Sequence, residues 1–130
     1  MKDIIKKADE IFSILIRLRA ANDNGYVRCI SCGSIQRWTE AHNGHYIPRQ
    51  HMATRFDFLN CNVQCRHCNV DLSGNLEKYK EALILKHGSE IVEDLVLKKT
   101  WTCKYLDGEL KEMIAAWKEE IKHLKKTKGL

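Results

Sequence analysis

Apolar residues at Ile4, Ala8, Ile11, Leu15 and Leu18 recur on one face of a helix over residues 2–24, widened by Ile5, Phe12 and Ile16. The run closes at Asn24-Gly25, a pair suited to a helix stop, so the pattern predicts a core-packing helix. Between Tyr26 and Leu59 the helical period disappears. Gly33, Gly44 and the sole proline, Pro48, punctuate short runs such as Tyr26-Val27-Arg28 and Arg37-Trp38-Thr39, which reads as a small irregular hairpin with loops. A short helix is expected around Asn69. Asn75 can then cap a helix to Lys86 or His87, with Leu76, Tyr79 and Leu83 inward and Gly88 as its stop, and Ser89 can cap another through about Leu97. The last helix has the cleanest stripe: Leu110, Met113, Ile114, Trp117, Ile121 and Leu124. Residues 101–106 read as a loop or short strand. No repeat or linker divides the chain. The expectation is one mostly helical α+β domain over residues 1–130: an N-terminal helix (1–25), an irregular module (26–75) and C-terminal helices (76–130).

A chain of 130 residues with 44% apolar content can bury one core without disulfides. Residues 26–59, however, hold few apolar side chains, so something else must order them. Cys29-Ile30-Ser31-Cys32 and Cys65-Arg66-His67-Cys68 form two C-x-x-C pairs 32 residues apart, and each pair makes a tight knuckle that offers both thiolates to one ion. With all four positions filled by sulfur, the ion predicted is a structural Zn2+. Cys61-x-x-x-Cys65 is a second possible pairing, and His67 can replace a cysteine; the repeated two-residue spacer favours Cys65 with Cys68. Cys61 and Cys103 then read as buried apolar fillers. Free thiols, no apolar leader and no long apolar run predict a cytoplasmic setting without membrane contact.

The net charge of +5 is modest, but its distribution is uneven. Residues 26–69 carry five arginines (Arg28, Arg37, Arg49, Arg55, Arg66), no lysine and only Glu40 and Asp57 in opposition. Beyond residue 70 lysine replaces arginine throughout. Arginine is the better bidentate phosphate ligand, so its confinement to the cysteine-bearing segment suits a DNA surface.

Between the knuckles lies His42-Asn43-Gly44-His45, and Asn69 follows the last cysteine directly. An imidazole titrating near neutrality can take a proton from water, which makes His45 a candidate general base. Asn69 offers the oxygen that a hard divalent ion prefers, Mg2+ or Mn2+. His42 offers a nitrogen better suited to manganese, nickel or zinc than to magnesium. Asn60 can hydrogen-bond the loop backbone and so orient His45.

These residues resemble the HNH, or ββα-metal, endonucleases, whose pattern is a histidine ending the first strand, a loop asparagine and a metal ligand on the following helix, often zinc-braced by two C-x-x-C pairs. The match is His45, Asn60 and Asn69. Cys65-x-x-Cys68-Asn69 is also similar to the zinc-braced phage endonuclease VII, a Holliday-junction resolvase. A closer resemblance is to the NinG (Rap) family of lambdoid phage recombination proteins, through Cys29-Ile30-Ser31-Cys32-Gly33, Gly44-His45-Tyr46, Arg55-Phe56, Asn60, Gln64-Cys65-x-x-Cys68-Asn69, Ser73-Gly74-Asn75-Leu76, Tyr79 and, more loosely, Trp101-Thr102. The resemblance implies a zinc-braced, HNH-like module flanked by helices. It also implies a structure-directed nuclease acting on branched or Holliday-junction DNA in the host cytoplasm, with other recombination proteins as possible partners. A resolvase gains from a homodimer, since two strands must be cut symmetrically. In that family His45 would be the base, Asn60 a loop brace and Asn69 a metal ligand. Where many HNH enzymes place an acid before the base, this chain has Gly44. Where the NinG pattern has an aspartate, it has His42, so the second metal ligand stays open among His42, Glu40, Asp71 and Asn75. Two other readings stand beside this one: a zinc-stabilised DNA-binding module without catalysis, and an HNH nickase for linear duplex.

Overall fold

The computed structural model describes residues 3–130; Lys2, where the first helix was expected to begin, lies outside the described residues. The elements are α1 (Asp3–Ala20), β1 (Tyr26–Arg28), β2 (Ile35–Arg37), β3 (His42–His45), α2 (Met52–Arg55), β4 (Cys61–Gln64), a π-helical turn (His67–Asp71), α3 (Leu76–His87), α4 (Ser89–Leu97), a 3-10 turn (Lys98–Thr100) and α5 (Asp107–Lys128). The architecture is mostly helical α+β with two separate two-stranded antiparallel sheets, β1–β2 and β3–β4. Among the described residues no helix is long and apolar enough to cross a membrane.

The first helix ends four residues before its predicted stop. Asn22 Oδ1 accepts hydrogen bonds from the backbone N–H groups of Asn24 and Tyr26, each 3.0 Å, and draws the chain into a turn there. Gly25, at φ +85°, serves that turn rather than the helix end. The cap comes from elsewhere: Lys128 Nζ donates to the carbonyls of Leu18 (2.8 Å), Arg19 (3.2 Å) and Ala21 (2.6 Å).

Burial explains how the elements are held. Phe12 of α1 meets Phe56 (ring centroids 5.6 Å), Phe58 (5.0 Å) and Trp117 of α5 (4.9 Å), in a core that also takes Cys61 and Val63 of β4. A second cluster joins α3 and α4 to the loop after β3 through Ile47, Tyr79, Leu83, Val92 and Leu95. Leu76, expected to point inward, is exposed, because the helix turns its Tyr79–Leu83 edge to this cluster. Asn75 does not cap α3 through its side chain. It sits in the left-handed region at φ +45°, and its amide donates to Cys68 Sγ at 3.4 Å instead. Residues 101–106 have no regular structure. The third cluster is the cysteines themselves.

Candidate functional site

Cys29 follows β1 and Cys65 follows β4; the Ile30 N–H donates to the Val63 carbonyl at 2.9 Å, so the two knuckles are tied together by backbone. Gly33 at φ +78° turns the first knuckle, closed by Gly33 N to Cys29 O at 2.9 Å. In the second, the Asn69 N–H donates to Cys65 O at 2.9 Å and Cys68 N to Cys65 Sγ at 3.4 Å. All four Sγ atoms lie within 4.8 Å of one another, with Cys32 and Cys65 at 3.7 Å. Four sulfurs about 2.3 Å from one ion stand about 3.8 Å apart, so this cluster can hold a structural metal ion such as zinc. Ser34 hydrogen-bonds Cys32 and draws its thiol down to about 6, while burial pushes Cys68 up to about 12. A cation among them would remove the second penalty by stabilising the thiolate. Cys61 stands apart from this group and is buried against the α1 core; Cys103 is only half-buried, short of the filler role expected of it.

Beside the second knuckle lies an open cleft lined by Asn43, His45, Pro48, Arg49, Asn69 and Ser73. His45 ends β3, opposite Cys61. Its Nε2 lies 2.8 Å from the Arg55 carbonyl, which can only accept, so Nε2 carries the proton and Nδ1 the lone pair. Burial lowers the histidine from its ordinary 6.5, outweighing the hydrogen bond to Arg55 that pulls the other way. Asn69 Nδ2 donates to His42 Nδ1 at 3.1 Å, so these two candidates meet across the β3 edge and the π-helical turn. Asn60 is fully buried. Its Oδ1 accepts from Ile47 N (2.7 Å), and its Nδ2 donates to the carbonyls of Ile47 and Thr54 (3.1 Å each), so one side chain holds both ends of the loop that follows His45. Of the other ligands left open, Asp71 pairs with His67 at an exposed i,i+4 position, Asn75 faces Cys68, and Glu40 is exposed outside the cleft lining.

The departure at Gly44 has a steric cause. Side chains alternate along β3, so Gly44 faces away from His45, toward Tyr79 and Gln64. The Tyr79 hydroxyl donates to Gly44 O at 2.7 Å. Gln64 is fully buried, donates from Nε2 to Gly74 O (2.7 Å) and Ser31 Oγ (2.8 Å), and lies directly over Gly44. A Cβ at residue 44 would fall 2.0 Å from Gln64 Oε1 and 2.6 Å from its Cδ. An acid in that position therefore has no room. Gly44→Ala is expected to cost about 1–3 kcal/mol by overpacking. In Gln64→Ala the same change should cost measurably less, a coupling of about 0.5–3 kcal/mol between the two sites. Urea melts of the two single variants and the double variant check this; simple additivity would show that Gln64 does not set the constraint.

The family model described as Bacteriophage Lambda NinG protein matches residues 1–127. The chain belongs to the NinG family. It is 30% identical over 131 residues to Protein ninG of Escherichia phage lambda, covering 96% of this chain and 59% of that relative. Against Protein ninG of Escherichia phage 933W the figures are 30%, 96% and 60%, and against that of Salmonella phage P22 they are 30%, 96% and 59%. The chain thus spans about 60% of the length of these relatives. No solved structure matches it.

In this NinG-family chain the five arginines do not act alike. Arg28 and Arg37 share the exposed face of the β1–β2 hairpin, Arg37 lying 5.5 Å over the Tyr26 ring. Arg66 is exposed, and Arg49 lines the cleft with its side chain 59% exposed. The expectation that Arg55 meets DNA is corrected. It is 5% exposed and forked onto Asp9 of α1, so its guanidinium is spent inside the protein. Sequence reasoning also missed Gln64, Tyr79 as a strand anchor, and Asp9. The last had one faint signal, an acid set next to Ala8 on the rim of an otherwise apolar helical face.

Proposed function

We propose that this NinG-family chain is a metal-dependent DNA endonuclease with an HNH-like module, and that branched DNA is its substrate. The observation that carries the reading is His45: Nε2 is committed to the Arg55 carbonyl, so a lone pair is left on Nδ1 of a neutral ring in a cleft shared with Asn69 and Arg49. The order of elements supports it, an antiparallel pair β3–β4 followed by a helical turn that bears Asn69. In this mechanism Nδ1 takes the proton from the attacking water. Arg49 neutralises phosphate charge at the cleft mouth, Asn60 fixes the loop, and the cysteine cluster keeps the π-helical turn beside β3.

Asn69, in the cleft lining, would hold the catalytic ion, with His42 meeting it from outside that lining on the Gly44 face of β3. The Asn69 amide already stands 3.1 Å from His42 Nδ1, so both side chains would be donors to one ion once that amide is turned to present its oxygen. Magnesium and manganese keep several waters, so two protein donors with substrate phosphate suffice. When bound, the ion supplies a Lewis acid for the scissile phosphate. Sulfur-free donors of this type separate the site from the zinc frame. The host cytoplasm as location, a homodimer and other recombination proteins as partners belong to the same reading.

The test is cleavage of a synthetic four-way junction and a linear duplex side by side, with Mn2+, with Mg2+ and with a chelator that leaves the zinc in place. Cutting of the junction in preference to the duplex, only with added metal, is expected. Equal cutting of both would move the assignment to a linear-duplex nickase, and binding without cutting under every metal would leave a zinc-stabilised DNA-binding module.

A further inference from the structure

We propose that Asp9, on the N-terminal helix and outside the cysteine-bearing module, is a positioning residue for His45. The inference rests on the nuclease reading for its effect on rate, but its structural part stands on geometry alone. His45 is oriented by one acceptor, the carbonyl of Arg55. That carbonyl sits at the end of α2, a helix of four residues with no side-chain cap, too short to hold itself in water. The Cys61 thiol donates to the same carbonyl at 3.5 Å and Asn60 holds the neighbouring Thr54 carbonyl, and the side chain of Arg55 itself ties this turn to α1. Arg55 Nε donates to Asp9 Oδ1 at 2.9 Å and Nη2 to Asp9 Oδ2, a two-pronged pair, while Nη1 donates to the Arg49 carbonyl at 3.0 Å. Both side chains are largely buried, 6% and 14% exposed, so water does not loosen the pair.

The same carboxylate reaches a second member of the cleft. Asp9 Oδ2 is 4.0 Å from Arg49 Nη1, so one acid on α1 faces both the arginine that holds the base and the arginine at the cleft mouth. α1 in turn is held by the aromatic core around Phe12 and Trp117. The chain of support runs from the α1–α5 pair through Asp9 and Arg55 to the His45 ring. The arrangement makes the flanking helices part of the site's geometry rather than a separate support.

Asp9→Asn removes the charge and one prong while keeping the size; Asp9→Glu keeps the charge; Arg55→Lys keeps the backbone carbonyl and a cation but not the fork. The expected results are a mixed His45 tautomer in Asp9→Asn and Arg55→Lys by imidazole 15N NMR, against the fixed Nε2–H form in the natural protein. With junction DNA and Mn2+, kcat should fall about 10- to 100-fold with KM unchanged, as for a displaced base, and Asp9→Glu should recover most of the rate. A folded Asp9→Asn or Arg55→Lys protein that keeps the Nε2–H tautomer would overturn the proposal. If the natural protein cuts no DNA, the nuclease reading fails, yet the tautomer still decides whether Asp9 positions His45.

Discussion

Serine at Cys68 is expected to leave the chain without a stable central module. Cys68 is fully buried among three other sulfurs, and β1–β2 and β3–β4 are two-stranded pairs that are marginal in water without support. A structural zinc contributes about 10–16 kcal/mol in small zinc modules, as much as the whole stability of an ordinary domain, about 5–15 kcal/mol. Loss of one thiolate therefore removes more than the rest of the fold can offset. Near-UV circular dichroism and elemental analysis should show lost tertiary signal and lost zinc together, and a strong chelator should reproduce both in the natural protein. Cys61→Ala, at a thiol outside the cluster, should keep its zinc. A Cys68→Ser protein that melts within a few degrees of the natural one would remove the metal from the account.

The second large effect is catalytic. On the nuclease reading, His45→Ala should reduce junction cleavage by about 10²–10⁴-fold while junction binding stays, because Arg49 of the same cleft and the exposed Arg28, Arg37 and Arg66 keep their charge. His45→Asn, whose amide can still donate to the Arg55 carbonyl, separates loss of the base from loss of a loop contact. The pH dependence has a definite sign. Burial holds His45 below the ordinary 6.5, so the ring stays neutral into mild acid and the acidic limb of the rate profile should lie under 6.5. In the unfolded chain the same ring takes its proton near 6.5, so between that value and the lower folded one the unfolded state binds more protons. Lowering the pH through that window therefore destabilises the fold. A limb above 6.5, or full cleavage by His45→Ala, would remove His45 as the base.

Some of this was legible in sequence because it depends on periodicity or spacing. The α5 stripe buries Leu110, Ile114 and Trp117, and the two C-x-x-C pairs close into one cluster of four. The β3–β4 pair was not legible: His42-Asn43-Gly44-His45 has no apolar side chain, and Cys61-Asn62-Val63-Gln64 alternates over four residues only, with one face packing on α1 and the other filled by Gln64 and Tyr79. Composition misled at Arg55, where a cluster of arginines looked like one surface and the fold turned one of them inward. Gly44 shows the reverse case, a departure from a known pattern that only the overlying Gln64 explains.

The lysine that closes the C-terminal end of α1 has a consequence for the order in which the molecule is made. Lys128 meets the carbonyls of Leu18, Arg19 and Ala21 across a sequence separation of 107 to 110 residues. Contacts so distant in sequence form late, because a long loop must close before they repay the chain entropy. During synthesis the final turn of α1 has no Lys128 partner until the 107 to 110 residues that separate them have been made. The helix that carries Asp9 thus reaches its finished form after all four cysteines of the cluster have been made, so the thiols that can hold a metal ion are in place before the cleft is set.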